Sequence, residues 1–317
     1  SMPLLRLLPL LLAPGAPLVL DRRGLPEQEL AGLRGFHIIL PRPQKLAFCT
    51  MQKVASEHFG PLFEAAANQS FLQEAQLATD PPQVFNSNFE EVRLRSSGLP
   101  YEELARENGW RFAFFTRDPL QRYLSAFLDK CTASGSGVYP PKAGQDCHGP
   151  TLDQAAGPLT SEAKRAAFEQ RAARDVAAGL PQDGHWQGQY ASLRDFCGLE
   201  LFGPGRAEFQ GSLSEPNVTG QVAAMLAGAG VPGAGELAAL CFPPREPGKQ
   251  RAMLQCPNTH CSEAGDKFEF FYANPETVKN VLRLLCDDYT QLRLPLPALV
   301  ASALGNATAK EFCGAKA

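Results

Sequence analysis

Residues 111–131 read RFAFFTRDPLQRYLSAFLDKC, and this stretch decides the fold that we predict. The run 110–116 is apolar enough for a buried strand, and the residues that follow it end the run. Asp118 suits a helix N-cap and Pro119 suits a first helical position, so we predict a helix from there to about Lys130. A strand that leads directly into a helix is the repeating unit of parallel α/β sheets.

A similar unit lies upstream. The apolar run 36–40 (FHIIL) predicts a strand that ends at a proline-containing loop. From Met51 to Ala67 the apolar residues recur at helical spacing, with Thr50 as a possible cap. Two such units predict an α/β fold with a central, mostly parallel sheet flanked by helices. Weaker patterns predict helices at 161–178, 219–227 and 275–292, a strand at 199–203 and a loose tail after the last helix.

Length and composition limit the class of protein. The chain has 317 residues with a formal net charge of −3, which is enough for one large domain and gives no basic footprint for nucleic acid. We see no boundary between two domains. We therefore expect an apolar N-terminal arm or a trimmed anchor remnant at 1–20, one domain at 21–300 and a tail at 301–317.

Polar residues collect at the first predicted strand-to-helix turn. Lys45, Cys49, Thr50 and Lys53 place cations, a hydroxyl and exposed amides around one helix start. Helix N-termini at the carboxyl ends of parallel strands attract phosphate groups. The alternative is that Lys45 is a solvated loop lysine.

The second turn has a comparable set. Arg117 ends the strand, and Arg122 and Ser125 follow on the helix. The planar guanidinium of arginine suits a phosphate, and a serine hydroxyl can complete the site. Alternatively, Arg117 pairs with a carboxylate for structural reasons. Two anion sites on neighbouring turns predict a ligand with two separated phosphate-like groups.

Residues 111–131 resemble the 3′-phosphate-binding segment of sulfotransferases that use 3′-phosphoadenosine 5′-phosphosulfate (PAPS), in particular the Golgi carbohydrate sulfotransferases of the chondroitin and dermatan type. The resemblance covers about residues 36–295. It implies a P-loop-kinase-like sulfotransferase fold, with Arg117 and Ser125 on the 3′-phosphate. It also implies transfer of the sulfuryl group from PAPS to a carbohydrate hydroxyl, release of PAP, no metal, and a location in the Golgi lumen, with a possible membrane anchor.

The segment 43–59 (PQKLAFCTMQKVASEHF) resembles the 5′-phosphosulfate loop of the same family. The resemblance implies that Lys45 contacts the bridging and 5′-phosphate oxygens, with Lys53 as its alternative. Amides near Cys49 to Met51 would hold the sulfonate. Lys45 lies one residue farther from Cys49 than the family pattern has it.

The segment 183–189 (DGHWQGQ) is similar to a third family segment, with Gly188 in place of a proline. His185 is the predicted general base, because imidazole transfers protons near neutral pH. The alternative is that His185 and Trp186 only shape a pocket. Two rival functions are a nucleotide kinase or NTPase, for which no G-x-x-x-x-G-K-[ST] run exists, and an inactive luminal glycan- or nucleotide-binding protein of the same fold.

The nine cysteines fit an oxidising lumen, where eight can form four disulfides. Cys49 is the cysteine that we expect to stay unpaired, because it lies in the predicted phosphosulfate loop. A helix N-terminus also favours a reactive thiolate, but we identify no His and acid partner for Cys49. We expect local pairs 131–147 and 256–261; the alternative is zinc binding by the cluster around His260. Glycosylation sequons at 68, 217 and 306 also favour a lumen.

Overall fold

Four strands form one sheet in the computed structural model, which describes residues 37–67, 94, 97–132, 160–180, 184–244, 264–305 and 308–314. They lie in the order β1-β2-β3-β4, where β2, β3 and β4 are parallel and β1 is antiparallel to β2. The predicted α/β class is confirmed. The strands are β1 (His37–Leu40), β2 (Leu46–Cys49), β3 (Arg111–Thr116) and β4 (Phe209–Ser212).

Helices flank this sheet. Short 3₁₀ turns at Tyr101–Glu103 and Arg106–Asn108 precede β3, and a π-helical turn at Leu193–Cys197 follows α4. The α-helices are α1 (Ser56–Ala67), α2 (Pro119–Lys130), α3 (Ser161–Ala178), α4 (Gln189–Ser192), α5 (Leu199–Phe202), α6 (Val218–Gly228), α7 (Ala234–Cys241), α8 (Phe268–Phe271), α9 (Pro275–Leu284), α10 (Cys286–Gln291), α11 (Ala298–Leu304) and α12 (Ala309–Gly314).

Two apolar clusters hold these layers together. The first packs the sheet against α1, α6 and α7, where the Phe59 ring is tilted against those of Phe48 and Phe115, at 4.3 Å and 4.9 Å between ring centroids. The second lies between α2, α3 and α8 to α11, where Phe168 and Tyr272 meet edge to face at 5.2 Å. Helix α2 therefore has its apolar face in one cluster while its N-terminus lies at the end of β3.

The strand register places the ends of the parallel strands level with one another. Cys49 is level with Phe114, and Thr116 is level with Ser212. The residues that follow β2, β3 and β4 consequently emerge at one edge, the carboxyl edge. Ligands of parallel α/β sheets bind outside this edge.

Several predicted elements differ from the structure. The predicted strand 199–203 is wrong, since Leu199–Phe202 is the helix α5 and the fourth strand is Phe209–Ser212. That strand is partly exposed and includes a glycine, so it lacks the apolar run that marks a buried strand. The predicted helix 275–292 is two helices, α9 and α10, which meet at Leu285.

The expectation of a loose C-terminal tail is also wrong. Residues 298–304 and 309–314 are helical. A disulfide joins Cys286 at the start of α10 to Cys313 in α12. The end of the chain is thereby fastened to the helices that close the second cluster.

Candidate active site

The turn after β3 is the best-defined part of the carboxyl edge. Asp118 caps α2 as predicted, since its side chain accepts a hydrogen bond from the Gln121 amide at 2.8 Å. Its other carboxylate oxygen accepts one from the Tyr289 hydroxyl at 2.9 Å. Burial raises the pKa of Asp118. These contacts fix the direction in which Arg117 and the first turn of α2 leave the sheet.

The loop after β2 lies beside this turn. It spans residues 50–55, because α1 begins at Ser56 and not at Met51 as predicted. Lys53 and Ala55 have left-handed backbones, with φ of 63° and 53°. Such conformations are unusual outside glycine and asparagine, and the contacts around the loop must stabilise them.

Two arginines bind the carbonyl groups of this loop. Arg117 donates from its guanidinium to the carbonyl oxygen of Lys53 at 3.4 Å. Arg122 donates from Nε to the carbonyl oxygen of Gln52 at 2.9 Å. The two turns that the sequence assigned to two phosphate groups are therefore in direct contact.

One face of α2 is directed toward the loop. Arg122, Ser125 and Asp129 are spaced by three and four residues, which places them on the same side of a helix. Arg122 binds the loop backbone and Asp129 forms an ion pair with the Lys53 ammonium. Ser125, which is buried, stands between these two contacts on the helix. The structure thus brings Ser125, Lys53 and Arg117 to one region.

The segment 184–187 completes this region. The Arg122 guanidinium also donates to the carbonyl oxygens of Gly184, at 2.7 Å, and Gln187, at 2.6 Å. His185 is half-buried and lies between these two residues in the chain. A single guanidinium therefore links the loop after β2 to the segment that carries the predicted general base.

Two buried polar residues hold α4 against the second turn. The Gln189 side chain forms a two-sided pair with the Arg117 backbone, accepting from its N–H and donating to its carbonyl, both at 2.8 Å. Asp288 accepts from the amides of Gln189 and Tyr190 at 2.9 and 2.8 Å. Burial raises the pKa of Asp288, although the Arg122 charge opposes this shift. A Cβ at Gly188 would lie 2.8 Å from a carboxylate oxygen of Asp288, which explains the glycine at that position.

Lys45 lies at the opposite edge of the sheet. It directly precedes β2, its carbonyl accepts from the Arg111 amide at 2.8 Å, and its ammonium donates to the Asn108 carbonyl. At about 3.3 Å per residue, Lys45 stands roughly 16 Å along the strand from Thr50. The structure does not bring Lys45 together with Arg117 and Ser125, whereas Lys53 is beside them.

Cys49 is not a free thiol. It is the last residue of β2 and forms a disulfide with Cys197 at the end of the π-helical turn. The prediction of an unpaired Cys49 is therefore wrong, and among the cysteines of the described ranges the free one is Cys241, which is buried. Cys131 is disulfide-bonded, but the predicted 131–147 and 256–261 pairs, like the cluster around His260, fall outside the described residues.

The other loop residues contribute differently. The Met51 side chain is buried in the first apolar cluster, and its carbonyl accepts from the Val54 amide at 3.2 Å. Thr50 is half-buried directly after β2. Because α1 starts at Ser56, the amides that the sequence placed near Cys49 to Met51 at a helix start are not there. The helix start lies at Ser56, five residues beyond Met51.

Unsatisfied polar atoms surround the segment 184–187. Gln52 Oε1, Gln187 Oε1 and Trp186 Nε1 are buried and make no hydrogen bond within the described part of the chain. The Gln52 side chain lies against Gly184, where its amide carbon would be 3.4 Å from an added Cβ. Arg171 Nη2, whose guanidinium lies 3.9 Å from the centroid of the Trp186 ring, is a fourth such atom.

Asp129, Gln189 and Asp288 have roles that the sequence analysis missed. A signal for Asp129 exists, since it follows Arg122 and Ser125 at helical spacing. Asp288 and Gln189 are 99 residues apart and have no such signal. In the residues described, no group of three His, Cys, Asp or Glu side chains is arranged to hold a metal ion. Over the same ranges, the helices are too short or too polar to cross a membrane.

Comparison with known proteins gives one match, to a family model. No curated protein and no solved structure matches the chain significantly. Residues 36–178 match the model of the sulfotransferase family, a span that includes both turns, α1, α2 and α3. The match covers less than half of the chain, and the α/β sheet whose two turns meet at its carboxyl edge is consistent with it, so the chain is similar to the sulfotransferase family over this span.

Proposed function

We propose that this protein transfers the sulfuryl group from PAPS to a hydroxyl group of a carbohydrate acceptor and releases PAP. The observation that carries the proposal is the direct contact between the two turns, in which Arg117 and Arg122 bind the loop that bears Lys53. A ligand with phosphate groups at both ends would meet a cation and a hydroxyl at one turn and a second cation at the other.

Lys53 is the sulfate-loop lysine in this proposal, in place of Lys45. It lies in the loop that follows β2 at the carboxyl edge, three residues before α1, and its carbonyl is bound by Arg117. An ammonium at this position stabilises the negative charge that develops on the departing phosphate. Arg117 and Ser125 would bind the 3′-phosphate.

The chemistry requires a base as well as charge stabilisation. The acceptor oxygen forms a bond to sulfur, the bond between sulfur and the phosphate oxygen breaks, and the acceptor proton leaves. We assign that proton to His185, whose segment is held against the loop by Arg122. Positioning of the acceptor hydroxyl near this imidazole makes the transfer effectively intramolecular.

We also propose that the protein resides in the secretory pathway. The disulfides Cys49–Cys197 and Cys286–Cys313 fit a luminal protein of an oxidising compartment. A carbohydrate acceptor in the Golgi lumen is the substrate and location that we propose.

Calorimetric titration of the full chain with PAP and with ATP tests donor binding. We expect PAP to bind more tightly than ATP, and Arg117→Ala to weaken PAP binding by about tenfold to a hundredfold, because a charge-assisted phosphate contact is lost. Lys53→Met should weaken PAP binding, whereas Lys45→Met, the matched control at the opposite edge, should change it by less than about twofold. Equal effects of the two lysine variants would contradict the site.

Radiolabelled sulfate transfer from PAPS to chondroitin, dermatan and neutral oligosaccharides tests turnover. Removal of one preorganised donor costs about two to three orders of magnitude in rate, so Lys53→Met should lower kcat by that factor. His185→Ala should lower kcat by about 10²- to 10⁴-fold with little change in PAP affinity. PAP binding without transfer to any of these glycans would favour a catalytically inactive binding protein of the same fold.

A further inference from the structure

Asp129 is a buried carboxylate in an unfavourable place. It lies in the last turn of α2, its side chain is 1% exposed, and the helix dipole there repels negative charge. Two cations offset this charge. Lys53 forms an ion pair with it from the loop after β2, and Lys130 Nζ lies 3.5 Å from the same oxygen.

Lys53, like Asp129, is a charged residue that is largely buried. Lysine side chains are mostly exposed in folded proteins, but that of Lys53 is only 12% exposed. Its backbone has a left-handed φ of 63°, which costs a non-glycine residue about 1 kcal/mol or more. Both its carbonyl group and its ammonium are bound, by Arg117 and by Asp129. The loop and its side chain are therefore fixed together.

We propose that Asp129 is a positioning residue that orients the Lys53 ammonium toward the 5′-phosphate end of the nucleotide. This inference rests on the proposed function. Asp129 stands one helical turn beyond Ser125 on the face of α2 that contacts the loop, so the ion pair holds the Lys53 ammonium at one position between the loop after β2 and α2.

Order in the Lys53 side chain explains why a carboxylate belongs there. Restricting a lysine side chain costs up to about 2 kcal/mol in conformational entropy. Because Asp129 orders the Lys53 side chain when the protein folds, this entropy cost does not reduce the affinity for the ligand. The two lysines and one aspartate carry a net charge of +1, from +2 and −1, so the group as a whole still attracts phosphate.

Two nucleotides can be compared to isolate the contact between Lys53 and the 5′-phosphate. PAP and adenosine 3′-monophosphate share the 3′-phosphate, and they differ in the 5′-phosphate that Lys53 would meet. The ratio of their affinities, measured by calorimetry on the full chain, therefore reports the 5′-phosphate contact alone. It requires no knowledge of the acceptor.

We expect Lys53→Met and Asp129→Asn each to lower this ratio by at least about tenfold, because each removes or releases one charged contact to phosphate. Adenosine 3′-monophosphate should bind all variants alike. Lys130→Met is the matched control, since it removes the other cation beside Asp129, and it should leave the ratio within about threefold. Asp129→Glu should restore part of the ratio that Asp129→Asn loses.

The double variant Lys53→Met/Asp129→Asn gives a second test. Removing one partner of a buried ion pair can unfold a protein, whereas the double variant removes both charges of the pair between Lys53 and Asp129. Its ratio should equal that of Lys53→Met within about threefold, because residues that act through one another are not additive. A further tenfold loss in the double variant would overturn the inference.

The remaining outcomes separate the inference from the proposed function. Suppose that Lys53→Met lowers the ratio but Asp129→Asn leaves it unchanged. Asp129 then does not position Lys53, and the proposed donor site stands. The same holds if Asp129→Asn raises the ratio, because Asp129 would then compete with the 5′-phosphate for the Lys53 ammonium. If neither nucleotide binds the unsubstituted chain, the proposed function fails and the inference fails with it.

Discussion

Replacement of Arg122 by lysine is the most direct test of how the site is assembled. The guanidinium donates to the carbonyl oxygens of Gln52 at 2.9 Å, Gln187 at 2.6 Å and Gly184 at 2.7 Å, and the residue is 2% exposed. Lysine keeps the charge but has a shorter reach and no planar fork. It cannot donate in the three directions that these carbonyl groups occupy. We expect at least two of the three bonds to be lost.

The magnitude follows from those bonds. A hydrogen bond from a charged group contributes about 1.5–3 kcal/mol, so the loss of two gives about 3–6 kcal/mol. Carbonyl groups near a partly exposed loop regain some of this from water, and we expect the free energy of unfolding of Arg122→Lys to fall by about 3–5 kcal/mol. For a chain of 317 residues that corresponds to a fall in Tm of about 5–8 °C.

Hydrogen exchange and denaturant unfolding together test the reasoning. Amides of residues 50–55 and 184–188 should exchange faster in Arg122→Lys than in the unsubstituted chain, because the guanidinium joins these two segments. Their increase in exchange rate should exceed that of the amides in the sheet. Arg165→Lys is the control, since Arg165 lies on α3 in a surface ion pair with Glu169. Unchanged stability, or faster exchange spread evenly over the molecule, would refute the role assigned to Arg122.

Four further predictions concern single features. Peptide mapping without reduction should recover Cys49 joined to Cys197, and replacing both with serine should lower stability by up to about 5 kcal/mol, given the sequence separation of 148 residues; recovery of the two as separate peptides would contradict the pairing. Burial raises the pKa of Cys241 to about 12, so iodoacetamide at pH 8 should modify it only in denaturant, and rapid labelling of the native protein would show it to be accessible. Burial raises the pKa of Asp118 above 3.8, so the stability contributed by this group is present at low pH and lost as the pH rises through the raised pKa. The free energy of unfolding of Asp118→Asn should therefore increase relative to that of the unsubstituted chain between pH 4 and pH 7. A relative decrease would refute the sign. A Cβ at Gly211 would lie 2.4 Å from an aromatic ring on β3, so Gly211→Ala should lower stability by about 1–3 kcal/mol in thermal unfolding, and an unchanged Tm would show that the ring moves aside.

Local signals made the second turn predictable from the sequence. The strand β3 has an apolar centre at 112–115, and one residue after its end come an N-cap and a proline at the first helical position. These residues determine their own structure, because the cap bond joins Asp118 to an amide three residues away. The predicted strand, the cap and the helix up to Lys130 are all confirmed.

The first turn was harder because two short strands follow one another. The predicted strand 36–40 is present as β1, but the four residues of β2 were assigned to a loop. Nothing in the sequence separates an apolar loop from a buried strand of four residues. The error has a large effect, since Lys45 and Lys53 lie on either side of β2 and therefore at opposite edges of the sheet. Strand pairing with β3, which is set more than 60 residues away, resolves the ambiguity.

The disulfide gives Cys49 a structural role, and the loop that follows β2 is still present. As the last residue of β2, Cys49 fixes the point where the chain leaves the sheet, and its bond to Cys197 holds that point against the turn after α4. Arg122 and Arg117 then bind the carbonyls of the next residues of the loop, at Gln52 and Lys53. The loop is therefore anchored at its origin and at its middle, and the ammonium of its lysine is paired with Asp129. A cysteine that the sequence placed inside the phosphosulfate loop is instead the fixed end from which that loop begins.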